Sequence, residues 1–181
     1  MNIPNLITLL RIILVPVIVI LLIQGSFFKA LVVFVVAGLS DALDGFLARV
    51  LNRQTVLGAY LDPIADKALL ASSFVTLSVL HIIPSWLAVI VISRDFIILL
   101  GISVLSIMSI PVEIRPTYVS KVTTALQLTT VLLALSFRSL PYDLNGIWLL
   151  AVYWLTALFT IVSGFNYIAR GMKLINHDTK K

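Results

Sequence analysis

Six apolar segments, each about as long as a membrane-spanning helix, dominate this chain of 181 residues. A helix needs about 20 mostly apolar residues to cross a hydrocarbon core of roughly 30 Å, and polar or Pro/Gly-containing breaks separate the segments. Hydrophobic residues make up 60% of the chain and charged residues 12%, a balance that excludes an ordinary soluble domain. We therefore predict an all-α integral membrane protein, a single domain over residues 1–181 with six transmembrane helices. The predicted spans are approximately 5–23, 30–50, 59–80, 85–107, 118–137 and 147–169.

The basic residues of the short loops predict the orientation of these spans. Cytoplasmic loops carry an excess of Lys and Arg, so the more basic side is placed inside the cell. With a cytoplasmic N-terminus the outer side receives only Lys29 and Arg138. The inner side then receives Arg49, Arg53, Arg115, Lys121, Arg170, Lys173, Lys180 and Lys181. Both termini are predicted to be cytoplasmic, and the net charge of +5 indicates contact with anionic headgroups of the membrane lipids and no nucleic-acid partner.

Carboxylates are concentrated in one stretch of this apolar chain. Asp41, Asp44, Asp62 and Asp66 are half of its eight acidic residues, and they fall where spans two and three meet the cytoplasmic face. Residues three or four apart share a helix face, so the four form two pairs, one on each helix. Like charges that converge in a poorly solvated site repel one another unless a cation neutralises them. Oxygen ligands without nearby His or Cys favour Mg²⁺, Mn²⁺ or Ca²⁺, and four carboxylates suit a site for two metal ions.

Small residues and one cation accompany these carboxylates. Gly45 and Ala48 lie on or beside the face of the first pair, and Gly58 opens the next helix, so a ligand can approach the backbone closely. The guanidinium of Arg49 is suited to binding a phosphate. Together these residue types indicate a pocket for a nucleoside diphosphate. The chain has no cysteine, which excludes disulfides and thiolate ligands.

The stretch resembles the signature of the CDP-alcohol phosphotransferases, D-x2-D-G-x2-A-R-x8-G-x3-D-x3-D, at all eight specified positions within 26 residues. The resemblance implies transfer of a substituted phosphate from a CDP-linked donor, here CDP-diacylglycerol, to an alcohol, with release of CMP. It implies two divalent ions, Mg or Mn, held by Asp41, Asp44 and Asp62, and a general base at Asp66, which also contacts a metal. It further implies that Gly45, Ala48, Arg49 and Gly58 line the CMP site. A bacterial-type inner membrane and a homodimer follow from the same resemblance, and the loop charges place the active site at the cytoplasmic face.

The acceptor alcohol is predicted from charged and polar residues outside the signature. The candidates are Arg94, Arg115, Lys121 and Thr123. In the phosphatidylglycerophosphate synthases a lysine typically stands where this chain has Thr123, and the segment resembles the eukaryotic-type cardiolipin synthases. Loss of a cation suits phosphatidylglycerol, whose phosphodiester carries one charge, better than glycerol 3-phosphate. We therefore expect phosphatidylglycerol as the acceptor, with glycerol 3-phosphate as the alternative. For Arg94, a structural ion pair with Asp95 or another carboxylate is also considered.

Three polar residues share one face of the first span near the cytoplasmic side: Asn5, Thr8 and Arg11. They are predicted to reach the nucleotide or its phosphates, although helix capping by Asn5 and snorkelling by Arg11 explain them equally well. Membrane-buried carboxylates also occur in metal-ion transporters. The chain has no internal repeat and places all four aspartates at one face, which favours an enzyme. An inactive lipid-binding scaffold has no positive feature in its support.

Overall fold

The computed structural model describes the backbone of residues 3–50, 56–107, 118–139 and 146–178, and the side chains of residues 8–40, 64–104, 107, 118–139 and 147–172. Within these ranges the chain forms six α-helices and no strand, as the apolar segments predict. The helices are α1 (Ile3–Ile23), α2 (Phe27–Val50), α3 (Val56–Val79), α4 (Ser85–Ile107), α5 (Tyr118–Ser139) and α6 (Gly146–Asp178). The prediction of an all-α fold with six helices is confirmed.

Within the residues that the structure describes, three helices are long and apolar enough to cross a membrane. The qualifying stretches are Ser85–Val104, Tyr118–Ser139 and Ile147–Met172, in α4, α5 and α6. The apolar stretches found in α1 and α2, Thr8–Ile23 and Phe27–Ser40, are shorter. Helix α6 continues nine residues beyond the predicted end of the sixth span, because bilayer thickness limits an apolar span and does not limit a helix. The crossing of the membrane by all six helices stays a prediction.

A tight turn joins α1 to α2. Gly25 adopts a left-handed φ of +71°, and the N–H groups of Gly25 and Ser26 donate to the carbonyls of Leu22 (3.0 Å) and Leu21 (2.9 Å). This is a Schellman cap, in which glycine takes the left-handed position without steric cost. The cap completes the connection within three residues, so α2 begins at Phe27, ahead of the predicted start at residue 30.

The chain divides into two compact units, which are described separately. Unit 1 comprises Met1–Pro84 and Val131–Leu144, and in it α1 packs against both α2 and α3. Buried side chains on α1 are spaced three, seven and four residues apart, at Thr8, Arg11, Ile18 and Leu22. This spacing places them on one face of the helix, which is the face that the neighbouring helices cover. Arg11 therefore lies on the buried face of an otherwise apolar helix.

Unit 2 comprises Ser85–Thr130 and Asn145–Lys181, and in it α4 packs against α6. Polar side chains bridge α5 and α6: the Thr130 and Thr156 hydroxyls are 2.8 Å apart, and Gln127 Nε2 lies 3.4 Å from Thr160 Oγ1. Thr123 Oγ1 donates to the backbone carbonyls of Val119 and Phe159. We call this set, Thr123, Gln127, Thr130, Thr156 and Thr160, the polar seam. All five side chains are buried.

Candidate active site

The eight signature residues lie on two consecutive helices. Asp41, Asp44, Gly45, Ala48 and Arg49 are in the C-terminal half of α2, and Gly58, Asp62 and Asp66 are in the N-terminal half of α3. The helical backbone places the two aspartates of each pair one turn apart, as the spacing predicts. Of the eight, only Asp66 is among the residues whose side chains the structure describes. The predicted roles of the other seven side chains lie outside the described residues and stay predictions.

Asp66 continues the buried face of α3 to its polar end. Leu69, Ser73 and Leu77 recur on this face at helical spacing, and all three are buried. The Asp66 side chain itself is 40% exposed, so its carboxylate lies at the boundary between the helix packing and an open side. The sequence folds in this way because the apolar stripe of α3 ends at the signature, where the chain becomes polar. A carboxylate in this position is both anchored by its helix and accessible.

A buried cation on α1 holds this carboxylate. Arg11 NH1 lies 2.5 Å from Asp66 Oδ1, and the Arg11 side chain is only 1% exposed. The pair joins residues 55 positions apart in sequence, across the contact between α1 and α3. The guanidinium is thus paired inside unit 1, with the carboxylate on α3. A charge-assisted bond of this kind fixes the direction of the carboxylate more firmly than a neutral hydrogen bond does.

The sequence does not reveal the partner of Arg11, because Asp66 becomes its neighbour only through the packing of α1 on α3. A signal was present, since an Arg within an apolar helix requires a counter-charge or access to water. Thr8, one turn earlier on the same face, is 1% exposed, so its predicted contact with a nucleotide stays a prediction. The side chain of Asn5 lies outside the described residues.

The donor set fits a hard divalent cation. Asp66 offers carboxylate oxygens, and the three other signature acids are also aspartates, without His or Cys in the motif. Among the described side chains there is no group of three or more acidic, His or Cys residues, but three of the four aspartates are not among them. Arg11 competes for the charge of Asp66, which leaves this carboxylate less available to a metal than an unpaired one.

Arg94 lies in a buried polar cluster of unit 2. Its NH1 is 2.6 Å from Asp95 Oδ1, and its NH2 is 2.6 Å from Ser120 Oγ and 2.9 Å from Ser163 Oγ. The side chain is 5% exposed, and its Cζ lies 5.8 Å from the centre of the Tyr167 ring. The ion pair with Asp95 is the arrangement expected of a structural arginine that joins α4, α5 and α6. A role for Arg94 toward the acceptor stays a prediction.

The other candidate acceptor residues differ in exposure. Thr123 is fully buried, and its hydroxyl is bonded to the backbone carbonyls of Val119 and Phe159. Contact with an acceptor would require these bonds to break, and a role for Thr123 toward the acceptor stays a prediction. Lys121 is exposed, with Nζ 5.9 Å from the centre of the Tyr118 ring. Arg115 lies outside the described residues.

Known proteins similar to this chain match it over the stretch that contains the signature residues. The profile of a family described as CDP-alcohol phosphatidyltransferase matches residues 1–163, which include the whole signature. The chain belongs to this family. It is 35% identical to human cardiolipin synthase (CMP-forming) over 190 residues, which cover 96% of this chain and 63% of that protein. The chain therefore spans less than two thirds of the length of this relative, and the same holds for the rat cardiolipin synthase.

Relatives named for a second activity match this chain over more of their own length. A probable phosphatidylglycerophosphate synthase from Mycobacterium tuberculosis is 32% identical over 95% of this chain and 82% of its own. The CDP-diacylglycerol–glycerol-3-phosphate 3-phosphatidyltransferase of Bacillus subtilis is 29% identical over 96% of this chain and 97% of its own. The similarities therefore cover both acceptors predicted from the sequence.

Proposed function

We propose that this protein transfers a phosphatidyl group from CDP-diacylglycerol to phosphatidylglycerol, which forms cardiolipin and releases CMP. The observation that carries the proposal is the intact family signature on α2 and α3, with its last aspartate, Asp66, accessible and held by a buried arginine. Family membership supports the reaction class, because the match includes every signature residue. The choice of acceptor rests on the residues outside the signature.

The proposed roles follow the chemistry of each side chain. Asp41, Asp44 and Asp62 hold two divalent ions, Mg or Mn, and Asp66 contributes a weaker contact. Bound ions would neutralise the diphosphate of the donor, which is what phosphoryl transfer chiefly requires. Arg49, Gly45, Ala48 and Gly58 bind the CMP portion. Asn5 and Thr8 also contact the nucleotide.

Proton transfer is assigned to Asp66. Its carboxylate accepts the proton of the acceptor hydroxyl while that oxygen attacks the phosphorus, and the bond from phosphorus to the CMP oxygen breaks. Arg11 fixes the direction of this carboxylate through the contact to Oδ1. Because Asp66 is 40% exposed, its carboxylate remains accessible to an acceptor that approaches from the open side. Arg11 is thus a positioning residue, acting on the acceptor only through Asp66.

Phosphatidylglycerol is preferred as the acceptor on grounds of charge. Arg94 is already neutralised by Asp95, and Thr123 carries no charge, which leaves Arg115 and Lys121 as candidate contacts for the acceptor phosphate. A phosphodiester with one negative charge needs fewer cations than the monoester of glycerol 3-phosphate. Glycerol 3-phosphate is the second candidate, because the Bacillus subtilis relative named for that acceptor matches this chain over nearly its whole length.

The proposed setting is a bacterial-type inner membrane. All six helices cross it, both termini face the cytoplasm, and residues 1–181 act as one catalytic domain within a homodimer. The aspartates then lie at the cytoplasmic face, where the soluble CMP group leaves. Support comes from the loop charges, which place eight cations on that side and two on the other.

An acceptor panel tests the proposal. The purified protein in detergent micelles is given CDP-diacylglycerol and Mg²⁺ or Mn²⁺ with phosphatidylglycerol, glycerol 3-phosphate or no acceptor, and the lipid products and CMP are measured. We expect cardiolipin and CMP with phosphatidylglycerol alone. A product from glycerol 3-phosphate without cardiolipin would select the second candidate. Metal uptake into vesicles that contain the protein, without release of CMP, would favour a transporter.

The variant Asp66→Asn is the matched control for this assay. It keeps the shape of the side chain and removes its basicity, so we expect turnover to fall by about 100- to 10,000-fold with metal binding largely retained. Near-normal turnover of Asp66→Asn would refute its assignment as the base. It would leave the acceptor assignment intact.

A further inference from the structure

A pocket of about 320 Å³ lies at the end of unit 1 where α1 turns into α2. It is lined by residues 25–29 and by Arg138 and Ser139 of α5. Two of these side chains, Lys29 and Arg138, are exposed cations. No carboxylate lines the pocket in the part of the chain that the structure describes. The pocket is therefore a concentration of positive charge without an acidic residue to balance it among the described ones.

The two cations are brought together by the fold from positions 109 residues apart. They are also the only two basic residues that the loop charges assign to the outer side of the membrane. The rule that depletes Lys and Arg from outer loops is thus broken at two positions, and both of them line this pocket. If the two cations served unrelated purposes, we would not expect both of them to line the same pocket.

The geometry of each wall suits an anion. Arg138 Cζ lies 5.7 Å from the centre of the Phe27 ring, a cation–π contact that holds the guanidinium at the pocket. Phe27, Phe28 and Lys29 form the first turn of α2, whose N–H groups have no acceptor within the helix. The positive end of the helix dipole and the two side-chain cations therefore act on the same volume.

Apolar surface adjoins the pocket. Phe28, which lines the pocket, is 60% exposed, and Ile23, which precedes the pocket-lining Gly25 by two residues, is 67% exposed. A ligand with a phosphate and acyl chains would satisfy both the charge and the apolar surface. A free phosphate would satisfy the charge alone.

We infer that this pocket binds the phosphodiester headgroup of an anionic phospholipid, on the membrane face opposite to the aspartates. Along α2, Lys29 and Asp41 are separated by twelve residues, or about 18 Å at 1.5 Å per residue, so the two sites are distinct. The inference does not depend on the transfer reaction. It assigns to the outer side of unit 1 a lipid that is bound and not consumed.

The test counts bound lipid by native mass spectrometry of the full chain in detergent, titrated with phosphatidylglycerol against phosphatidylcholine. The double variant Lys29→Gln with Arg138→Gln should bind one fewer phosphatidylglycerol, or bind it about 10- to 30-fold more weakly, from the loss of two cationic contacts. The matched control, Arg170→Gln with Lys181→Gln, has the same net charge and should bind like the unaltered protein. Both pocket cations are exposed, so their replacement leaves the core unchanged.

Three further results decide the assignment. The charge-conserving variant Lys29→Arg with Arg138→Lys should retain the lipid, which a purely structural role for the original side chains does not predict. Equal binding by the pocket variant and the matched control would overturn the inference. Displacement of phosphatidylglycerol by inorganic phosphate at similar concentration would also overturn it, in favour of a free-phosphate site. CMP release by the pocket variant, measured in parallel, should stay unchanged, which keeps this result separate from the proposed function.

Discussion

The ion pair between Arg11 and Asp66 makes the proposed mechanism testable away from the signature. We consider Arg11→Met, which keeps most of the side-chain volume and removes the charge, and Arg11→Lys, which keeps the charge and loses the planar fork. Arg11 is 1% exposed and Asp66 is 40% exposed, with 2.5 Å between NH1 and Oδ1. The pair is therefore buried at the cation and open at the carboxylate.

The expected magnitude lies between two limits. Removing one partner of a fully buried pair costs about 3–5 kcal/mol, whereas exposed pairs contribute about 1 kcal/mol or less. A pair that is half open should contribute about 1–3 kcal/mol. If that energy orients Asp66 in the transition state, its loss lowers kcat by about 5- to 150-fold.

The assay is CMP release from CDP-diacylglycerol and phosphatidylglycerol at saturating metal, with kcat and KM measured for both variants. We expect Arg11→Met to lower kcat with little change in KM, and Arg11→Lys to recover part of the loss. The concentration of Mn²⁺ required for half-maximal binding should fall in Arg11→Met, because a cation that competes for Asp66 has been removed. Binding of Mn²⁺ is measured without substrate.

Two outcomes would refute this reasoning. Unchanged kcat and KM in Arg11→Met would show that Asp66 needs no positioning. A lower melting temperature with normal kcat per folded molecule and unaltered Mn²⁺ affinity would show that the pair only stabilises the packing of α1 on α3. Either result leaves the family assignment in place.

Other parts of the structure give further expectations. Arg94→Met should lower the free energy of unfolding by about 3–5 kcal/mol, because it removes the buried partner of Asp95. Adding Asp95→Leu should restore part of the loss, and equal melting temperatures for the single and double variants would contradict this. His81 has a left-handed φ of 56°, so His81→Gly should raise stability by about 1 kcal/mol in thermal unfolding, and a decrease would argue against backbone strain there. A double-mutant cycle of Thr130→Val and Thr156→Val should give a coupling energy near 0.6 kcal/mol, whereas strict additivity would mean that the hydroxyl contact contributes nothing. Chelation with EDTA should abolish CMP release and added Mg²⁺ or Mn²⁺ should restore it; turnover that persists in EDTA would exclude the proposed metal requirement.

Hydropathy was sufficient to predict the six helices of the described ranges, because each coincides with a long apolar segment bounded by polar or Pro/Gly-containing breaks. The ends of the helices depend on local chemistry that hydropathy does not measure. Gly25 caps α1 so closely that α2 starts at Phe27, and α6 runs past the apolar limit to Asp178. Both differences reflect backbone hydrogen bonding at helix ends.

The site was predictable to the extent that its residues are close in sequence. The pairs Asp41 with Asp44 and Asp62 with Asp66 follow from helical spacing, and Arg94 and Asp95 are adjacent. The partner of Arg11 lies 55 residues away, so only the packing of α1 on α3 identifies it. The same is true of Ser163, which reaches Arg94 across 69 residues.

The polar seam of unit 2 has a consequence for how α5 and α6 assemble. Its cross-helix contacts recur along both helices, from Thr123 with the Phe159 carbonyl through Gln127 with Thr160 to Thr130 with Thr156. Sliding α5 by one turn, about 5.4 Å, would break all three native contacts at once, and each group would need a new partner within the protein because lipid offers none. Apolar packing alone tolerates such slippage, since one aliphatic ridge resembles the next. The hydroxyls and the Gln127 amide thus favour one register of α5 against α6.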